Sequence, residues 1–180
     1  MLYNLKCLLI FYFFTLGISA QETLKFKNKV YSASTVWNFY CDEYAYSSKL
    51  KVQIAKSENS AILKLSIDTS NENLFIGNKI LIVLNDGNLI YCADKNMREG
   101  FGEEKATYYL LTNFEINQLK KSDIENIRFQ IIGNESKFSS KTGYFSASKK
   151  QAFEENENKI DIVKTSVDVK SLFKTPTKIK

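Results

Sequence analysis

The middle of the chain alternates between apolar and polar residues, as a β-strand with one buried face does. The segment KLKVQIAK, residues 49–56, places leucine, valine and isoleucine at alternate positions, and AILKLSID, residues 61–68, repeats the pattern. The polar residues 57–60 separate the two runs. We therefore predict two strands joined as a hairpin.

A second hairpin is predicted in KILIVLNDGNLIYCAD, residues 79–94, where two apolar runs flank Asp86 and Gly87. An Asp-Gly pair supplies the positive φ values that a type I′ turn requires. The first run, Ile80 to Leu84, is apolar at every position. We therefore expect it to be a central strand that is covered on both faces.

The segment LTNFEINQLKKSD predicts one short helix. Thr112 at the N-cap and Glu115 three residues later have the pattern of a capping box, and Leu111 and Ile116 stand at the positions of a hydrophobic staple. We expect the helix over residues 113–121. The alternating segment IENIRFQII that follows predicts another strand.

The remaining segments are less regular. The run KNMREGFGEEK, residues 95–105, is polar and has two glycines, but it lacks the spacing of a phosphate-binding loop, so we expect a mobile connection. TGYFSAS and KIDIVKTSVDV are expected to be strands, and KKQAFEENENK between them a turn of helix or a loop. Residues 174–180 are expected to form a disordered tail.

About seven to nine strands with one short helix indicate a mainly β fold. We expect residues 21–173 to form a single domain with the architecture of an antiparallel β-sandwich. The immunoglobulin pattern is not present, because Trp37 precedes Cys41 instead of following it between two cysteines.

The N-terminal segment MLYNLKCLLIFYFFTLGISAQ has the layout of a secretory signal peptide. Lys6 precedes an apolar run that starts at Cys7, and small residues follow up to Ala20. The run is shorter than the roughly 20 residues that a membrane-spanning helix needs. We expect removal of residues 1–20, with cleavage after Ala20 or, alternatively, after Ser19. The mature chain is then expected to be soluble, without a stable membrane anchor, and periplasmic or secreted.

Composition argues against several chemistries. The chain has no histidine, the usual activator of a serine or cysteine nucleophile and the commonest metal ligand, so an enzyme would depend on carboxylates, tyrosine or lysine. The formal net charge is +5, and residues 137–180, where lysines accumulate, contain no arginine. Lysines without arginine are typical of a solvated surface, so we expect no nucleic-acid partner.

Two cysteines follow the leader, Cys41 and Cys92. Because an exported chain meets an oxidising compartment, we expect a disulfide between them, which would contribute about 3 to 4 kcal/mol to stability. The alternative is a pair of buried thiols. The two residues do not form a Cys-x-x-Cys pair, so we expect no structural zinc, and we expect no other metal and no cofactor.

Residues 36–48, VWNFYCDEYAYSS, concentrate aromatic and acidic side chains. Strand alternation directs Trp37, Phe39 and Cys41 to the core and leaves Tyr40 outward. Tyrosine rings are amphipathic and suit a carbohydrate or peptide surface. The candidate binding residues are Tyr40, Asp42, Tyr44 and Tyr46. The alternative is that these tyrosines are strand formers that fill the core.

Carboxylates support a second interpretation. Asp42 and Glu43 are adjacent, so a strand would point them to opposite faces, and Glu103 and Glu104 lie in the polar run. These residues would have to carry a carboxylate-dependent hydrolase, but we assign no catalytic residue. The segment DTSNEN, residues 68–73, lacks the glycine and the last glutamate of a calcium loop, which favours a polar turn over a calcium site.

Three features of the layout go together: a phenylalanine-rich leader ending in SAQ, strands rich in lysine and asparagine, and the segment YYLLTNFEINQLKKSDIENIRFQI, residues 108–131. In these features the chain resembles small uncharacterised exported β-rich proteins of Bacteroidetes-type bacteria. The resemblance implies export, with the periplasm slightly favoured over release from the cell. It implies no catalytic or binding residue.

Three classes of function are compatible with these patterns. We favour an exported, non-enzymatic β-domain that binds a protein, a glycan or an envelope component. The alternatives are a carboxylate-dependent hydrolase and a structural component of the envelope or of an assembly.

Overall fold

The computed structural model describes residues 22–41, 49–133, 142–149 and 164–174. The predicted leader, most of the segment KKQAFEENENK and residues 175–180 lie outside this part of the chain. In chain order the elements are β1 (Glu22–Phe26), β2 (Lys29–Ala33), β3 (Trp37–Cys41), β4 (Lys49–Lys56), β5 (Ala61–Asp68), β6 (Phe75–Leu84), β7 (Leu89–Cys92), β8 (Met97–Phe101), β9 (Glu104–Leu111), α1 (Asn113–Lys121), β10 (Ile124–Ile132), β11 (Gly143–Ser148) and α2 (Thr165–Lys174).

In the described residues the strands form one antiparallel, 11-stranded sheet that curls on itself. Its strand order is β7-β6-β10-β11-β3-β4-β5-β9-β8, and β2 joins β4 and carries β1. The prediction of a mainly β, antiparallel single domain is confirmed. A sandwich is not confirmed, because these strands belong to one curled sheet instead of two stacked sheets.

Side chains of β9 close the curl against β6. Thr107 Oγ1 donates a hydrogen bond to the carbonyl of Ile76 (2.6 Å), and Tyr109 OH donates to the carbonyl of Asn78 (3.4 Å). The two strands therefore touch although they are not neighbours in the sheet order. By this contact a single sheet covers its own inner face, as a second sheet does in a sandwich.

The inner face of the curled sheet holds the main core. Trp37 and Phe39 are buried there, as strand alternation predicts, and Cys41 packs against the same cluster. Ile116 from α1 and Leu172 from α2 belong to this core as well. The two helices thus cover apolar surface that the sheet alone leaves open.

The predicted helix and its capping box are confirmed in α1. Thr112 Oγ1 accepts a hydrogen bond from the backbone N–H of Glu115 (3.4 Å), and Glu115 Oε2 accepts one from the N–H of Thr112 (2.6 Å). Leu111 and Ile116, the two predicted staple residues, are both buried in the main core. Local sequence signals therefore determine where this helix begins.

The second half of KIDIVKTSVDV is wrongly predicted as a strand, because residues 165–174 form helix α2. The alternation of Val167, Asp168 and Val169 resembles a strand over three residues. In the helix Val169 and Leu172, three positions apart, are buried, whereas Val167 is exposed. The period of the buried positions is helical, but it becomes visible only over the longer segment.

Two carboxylates attach α2 to the sheet. Asp168 Oδ2 accepts hydrogen bonds from Trp37 Nε1 (2.8 Å) and Thr35 Oγ1 (3.0 Å). At the start of the helix, Asp123 Oδ1 accepts one from the backbone N–H of Ser166 (2.7 Å). Burial alone would raise the pKa of Asp123, but the hydrogen bonds from Ser166 and Thr165 and the charge of Lys149 together lower it.

No element is predicted for residues 22–33, yet they form the β1–β2 hairpin. Lys27 and Asn28 have φ values of 48° and 62°, the positive pair that a type I′ turn requires. The hairpin covers the outer face of β4, β5 and β9 and builds a second, smaller core. In that core the ring centroids of Phe26 and Tyr108 are 4.4 Å apart.

The hairpin β6–β7 is confirmed, but its predicted turn type is wrong. Of Asp86 and Gly87, only Gly87 has a positive φ (83°), whereas a type I′ turn needs two. The N–H of Gly87 donates to the carbonyl of Leu84 (2.9 Å), and the N–H of Leu84 donates to the carbonyl of Asn88 (3.0 Å). These bonds describe a three-residue loop that ends in a left-handed glycine.

Two further predictions for the sheet are wrong. Residues 95–105, predicted as a mobile connection, form β8 and the start of β9, which turn at Gly102 with a φ of 59°. Strand β6 is central, since it pairs with β7 and β10, but within the described residues no element covers its outer face. Leu81 and Val83 are only half-buried there.

The predicted disulfide is also wrong: Cys41 and Cys92 are thiols that are not bonded to each other. Strands β6, β10 and β11 lie between β7, which carries Cys92, and β3, which carries Cys41. At about 4.8 Å per strand the path along the sheet far exceeds the Cα separation of about 7 Å that a disulfide tolerates. The alternative of a buried thiol holds for Cys92, whereas Cys41 is half-buried.

We expect Asp168→Ala to lower the free energy of unfolding by about 1 to 3 kcal/mol, because the buried indole N–H of Trp37 loses its acceptor. Urea denaturation followed by tryptophan fluorescence measures the loss. Lys170→Ala, at an exposed position of the same helix, is the matched control. Equal stability of the two variants would show that Asp168 does not hold α2 in place.

We expect the free energy of unfolding to fall as the pH rises above 9. Burial, with a smaller contribution from the Glu115 carboxylate, raises the pKa of Cys92 from 9.0 to about 12. Burial also raises the pKa of Tyr109. Between these values the unfolded chain releases protons that the folded chain retains, so alkali favours unfolding. Urea midpoints at pH 7 and pH 10 test this, and an equal or higher midpoint at pH 10 would contradict it.

Candidate functional site

The structure describes one of the four predicted binding residues. Tyr40 lies near the end of β3, half-buried, with Lys49 Nζ 5.9 Å from its ring centroid. Its register partner Ser148 places it on the outer face of the sheet. The other three, Asp42, Tyr44 and Tyr46, lie outside the described residues.

Two carboxylates of the hydrolase hypothesis, Glu103 and Glu104, are among the described residues. Glu103 is exposed, whereas Glu104 Oε1 forms an ion pair with Lys64 Nζ at 2.6 Å. Burial would raise the pKa of Glu104, but the hydrogen bond from Lys64 and its charge outweigh burial and lower this pKa. Glu104 therefore stays ionised at neutral pH and is poorly suited to act as a general acid. Glu43 lies outside the described residues.

A groove of about 880 Å³ crosses the outer face of β7, β6, β10 and β11. This volume is in the range of about 300–1,000 Å³ that small-molecule sites occupy. We call this depression the outer groove. It is lined by Asn78, Lys79, Ile80, Leu81, Tyr91, Ala93, Asp94, Arg128, Phe129, Gln130, Tyr144, Phe145 and Ser146.

A bulge of three residues in β6 shapes the outer groove. The pairs Leu81↔Arg128 and Gly77↔Gln130 are in register, so three residues of β6 lie opposite one residue of β10. Asn78, the first of the three, has a φ of 61°. Bulges locally bend a strand and redirect its side chains, which here opens the sheet surface beside the bulge.

The side chain and backbone of Asn78 hold the bulge in place. Asn78 Nδ2 donates to Gln130 Oε1 (2.6 Å), and the backbone N–H of Asn78 donates to Asp94 Oδ2 (3.1 Å). The same carboxylate forms an ion pair with Arg98 and accepts from the N–H of Asn96 through Oδ1 (2.7 Å). Both carboxylate oxygens of Asp94 are therefore occupied.

Register pairs place the groove's exposed side chains in rows across the strands. One row runs Tyr91, Leu81, Arg128 and Ser146, and Gln130 pairs with Tyr144 beside it. Paired residues share a face of the sheet, so the two tyrosines and the arginine all point outward. Tyr91 is 58% exposed and Tyr144 is 79% exposed, although large aromatic side chains are usually covered.

The outer groove is not predicted from the sequence, although its exposed residues Tyr91, Arg128 and Tyr144 stand at outward positions of predicted strands. Alternation assigns Arg128 and Tyr144 to a solvent face within their own segments. Alternation within a segment cannot show that β7, β6, β10 and β11 are neighbours, because this strand order joins segments that are distant in the chain. The sequence instead predicts binding residues around Tyr40, because tyrosines are close together in that segment.

In the described part of the chain, no group of cysteine, aspartate and glutamate side chains could hold a metal ion. Within the same residues, neither helix is long and apolar enough to cross a membrane. Comparisons of the chain with protein-family models, with curated proteins and with solved structures found no match. The outer groove itself is therefore the basis for a functional proposal.

We expect Asn78→Val to destabilise the fold by about 1 to 2 kcal/mol more than Asn78→Gly does. Both variants lose the hydrogen bond to Gln130, but glycine keeps the positive φ of the bulge without strain, whereas a β-branched residue opposes it. Chemical denaturation of both variants measures the difference. Equal stability would show that the backbone at position 78 does not need its left-handed conformation.

Proposed function

We propose that the protein is an exported, non-enzymatic β-domain that binds a glycan in the outer groove. The observation that carries this proposal is the pair of exposed tyrosines, Tyr91 and Tyr144, on either side of the polar residues Arg128 and Gln130. Tyrosine combines an apolar ring with a polar hydroxyl. Such rings stack against the C–H faces of sugars, and the polar residues between them bind hydroxyl groups.

The spacing of the two tyrosines suits an oligosaccharide. Strands β7 and β11, which carry Tyr91 and Tyr144, are separated by β6 and β10. Three strand spacings of about 4.8 Å place the two strands about 14 Å apart. A ligand of several sugar units can contact both rings, whereas a single sugar would contact one.

The position of the groove favours a glycan over an extended peptide. Peptides that add to a sheet do so along a strand edge, where backbone groups are unpaired. The outer groove runs across the face of four strands, and its floor strands β6 and β10 are paired on both sides. Side chains, not backbone groups, therefore provide its contacts.

The same contacts favour binding over hydrolysis. Asp94 is the carboxylate that lines the groove, and its oxygens accept hydrogen bonds from Asn78, Asn96 and Arg98. A general base needs an oxygen that is free to take a proton from a substrate or a water molecule.

Export rests on the leader pattern of residues 1–20, with the periplasm slightly favoured over release from the cell.

We expect the double variant Tyr91→Ala, Tyr144→Ala to lower glycan affinity by about 10-fold or more, because both stacking surfaces are lost. An array of neutral and acidic oligosaccharides identifies ligands of the wild type, and calorimetric titration of the best ligand then measures the affinity. Phe114→Ala is the matched control, since Phe114 is 72% exposed on α1, outside the groove.

The thermal unfolding of the double variant should match that of the wild type, because exposed side chains contribute little to stability. A wild type that binds no glycan on the array would contradict the proposal. So would a double variant that keeps full affinity.

A further inference from the structure

We propose that the outer groove selects acidic glycans, with Arg128 binding the carboxylate of a uronic acid unit. This inference rests on the proposed function, glycan binding in the outer groove, and adds the charge of the ligand. It follows from three observations: the groove has two cations without a partner among the described residues, two of its acceptor side chains are engaged, and its arginine lies at an accessible position.

The groove carries two cations that no carboxylate of the described residues pairs with. Arg128 and Lys79 are exposed in its lining, and among the described residues neither side chain has a hydrogen bond or an ion pair. The carboxylate of the lining, Asp94, pairs with Arg98 and accepts two backbone N–H groups. Asp94 is therefore already compensated and does not offset the other two charges.

Two acceptor side chains of the groove are also engaged. Gln130 Oε1 accepts from Asn78 Nδ2, so the amide group of Gln130 presents its N–H donors to the groove. Ser146 Oγ is hydrogen-bonded to the amide of Asn126 (2.7 and 2.9 Å). The amide N–H groups of Gln130, together with Arg128 and Lys79, therefore offer donors to the acceptor oxygens of a ligand.

The position of Arg128 suits a carboxylate. Its register neighbours are Leu81 and Ser146, which are uncharged and smaller, so the guanidinium remains accessible. Guanidinium binds carboxylates through two parallel N–H donors, which a lysine ammonium group does not provide. The chain is rich in lysine and has only two arginines. One of them, Arg98, holds Asp94 beside the bulge, and the other, Arg128, lies in the groove.

The test uses a panel of uronic acid oligosaccharides, each paired with its carboxyl-reduced, neutral form, titrated against the mature chain. We expect the wild type to bind acidic members about 10-fold more tightly than their neutral forms, since charge-assisted hydrogen bonds are the stronger ones. Arg128→Gln should lose this preference, so that its affinities for the acidic and neutral forms lie within about 2-fold of each other. Lys29→Gln, at an exposed position of the β1–β2 hairpin, is the control and should keep the preference.

The outcomes separate the two proposals. Equal affinity for acidic and neutral forms, with both lost in the double tyrosine variant, would overturn acid selectivity and leave glycan binding intact. Binding of neither form would overturn both proposals. An Arg128→Gln variant that retains the full preference would overturn the role of Arg128.

Circular dichroism of each variant checks that it folds. Arg128→Lys, which keeps the charge, should recover only part of the preference for acidic forms.

Discussion

The bulge at Asn78 is the constraint on which both the closed core and the outer groove depend. On the inner side, the carbonyl of Asn78 accepts the hydroxyl of Tyr109 from β9, one of the two contacts that close the curl. On the outer side, its N–H and its amide bind Asp94 and Gln130. One left-handed residue thus joins the closure of the sheet to the shape of the groove. A regular β6 would pair fully with β10 and leave a flatter outer face.

Local signals were sufficient wherever one segment determines its own structure. The capping box at Thr112 and Glu115 predicts α1 with its observed bounds, and alternation predicts β4, β5 and β10. Local sequence patterns do not predict the structure where it depends on a contact between residues that are distant in the chain. Helix α2 is held by Trp37 and Asp123, far from it in sequence, and its short alternation alone suggests a strand. The curled sheet is not predicted for the same reason. Side chains of β9 contact β6 only in the folded sheet, so no local pattern indicates this contact.

The candidate site illustrates the same limit. Aromatic residues cluster around Tyr40 in the sequence, which predicts a binding residue there, and the structure places Tyr40 on the same outer face as the groove, in the row of Asn126 and Ser148. The prediction of an outward tyrosine face was therefore correct at Tyr40. The residues that form the groove come from three segments separated in the chain, and only the strand order brings them together. Exposure of a single tyrosine carries little information, whereas the proposed site rests on two exposed rings that flank an arginine without an ion pair among the described residues.

The most direct test of the groove as a ligand site is the NMR spectrum of the arginine Nε–H groups during titration with an acidic oligosaccharide. The chain has two arginines, so two resonances are expected. One reports on an arginine inside the groove and the other on an arginine that is paired within the protein. Arg98 is buried at Nε and paired with Asp94, whereas Arg128 faces the groove. Ligand binding should shift the Arg128 resonance and leave the Arg98 resonance nearly unchanged. Binding that shifts neither resonance, or that shifts only Arg98, would contradict a ligand site at the outer groove.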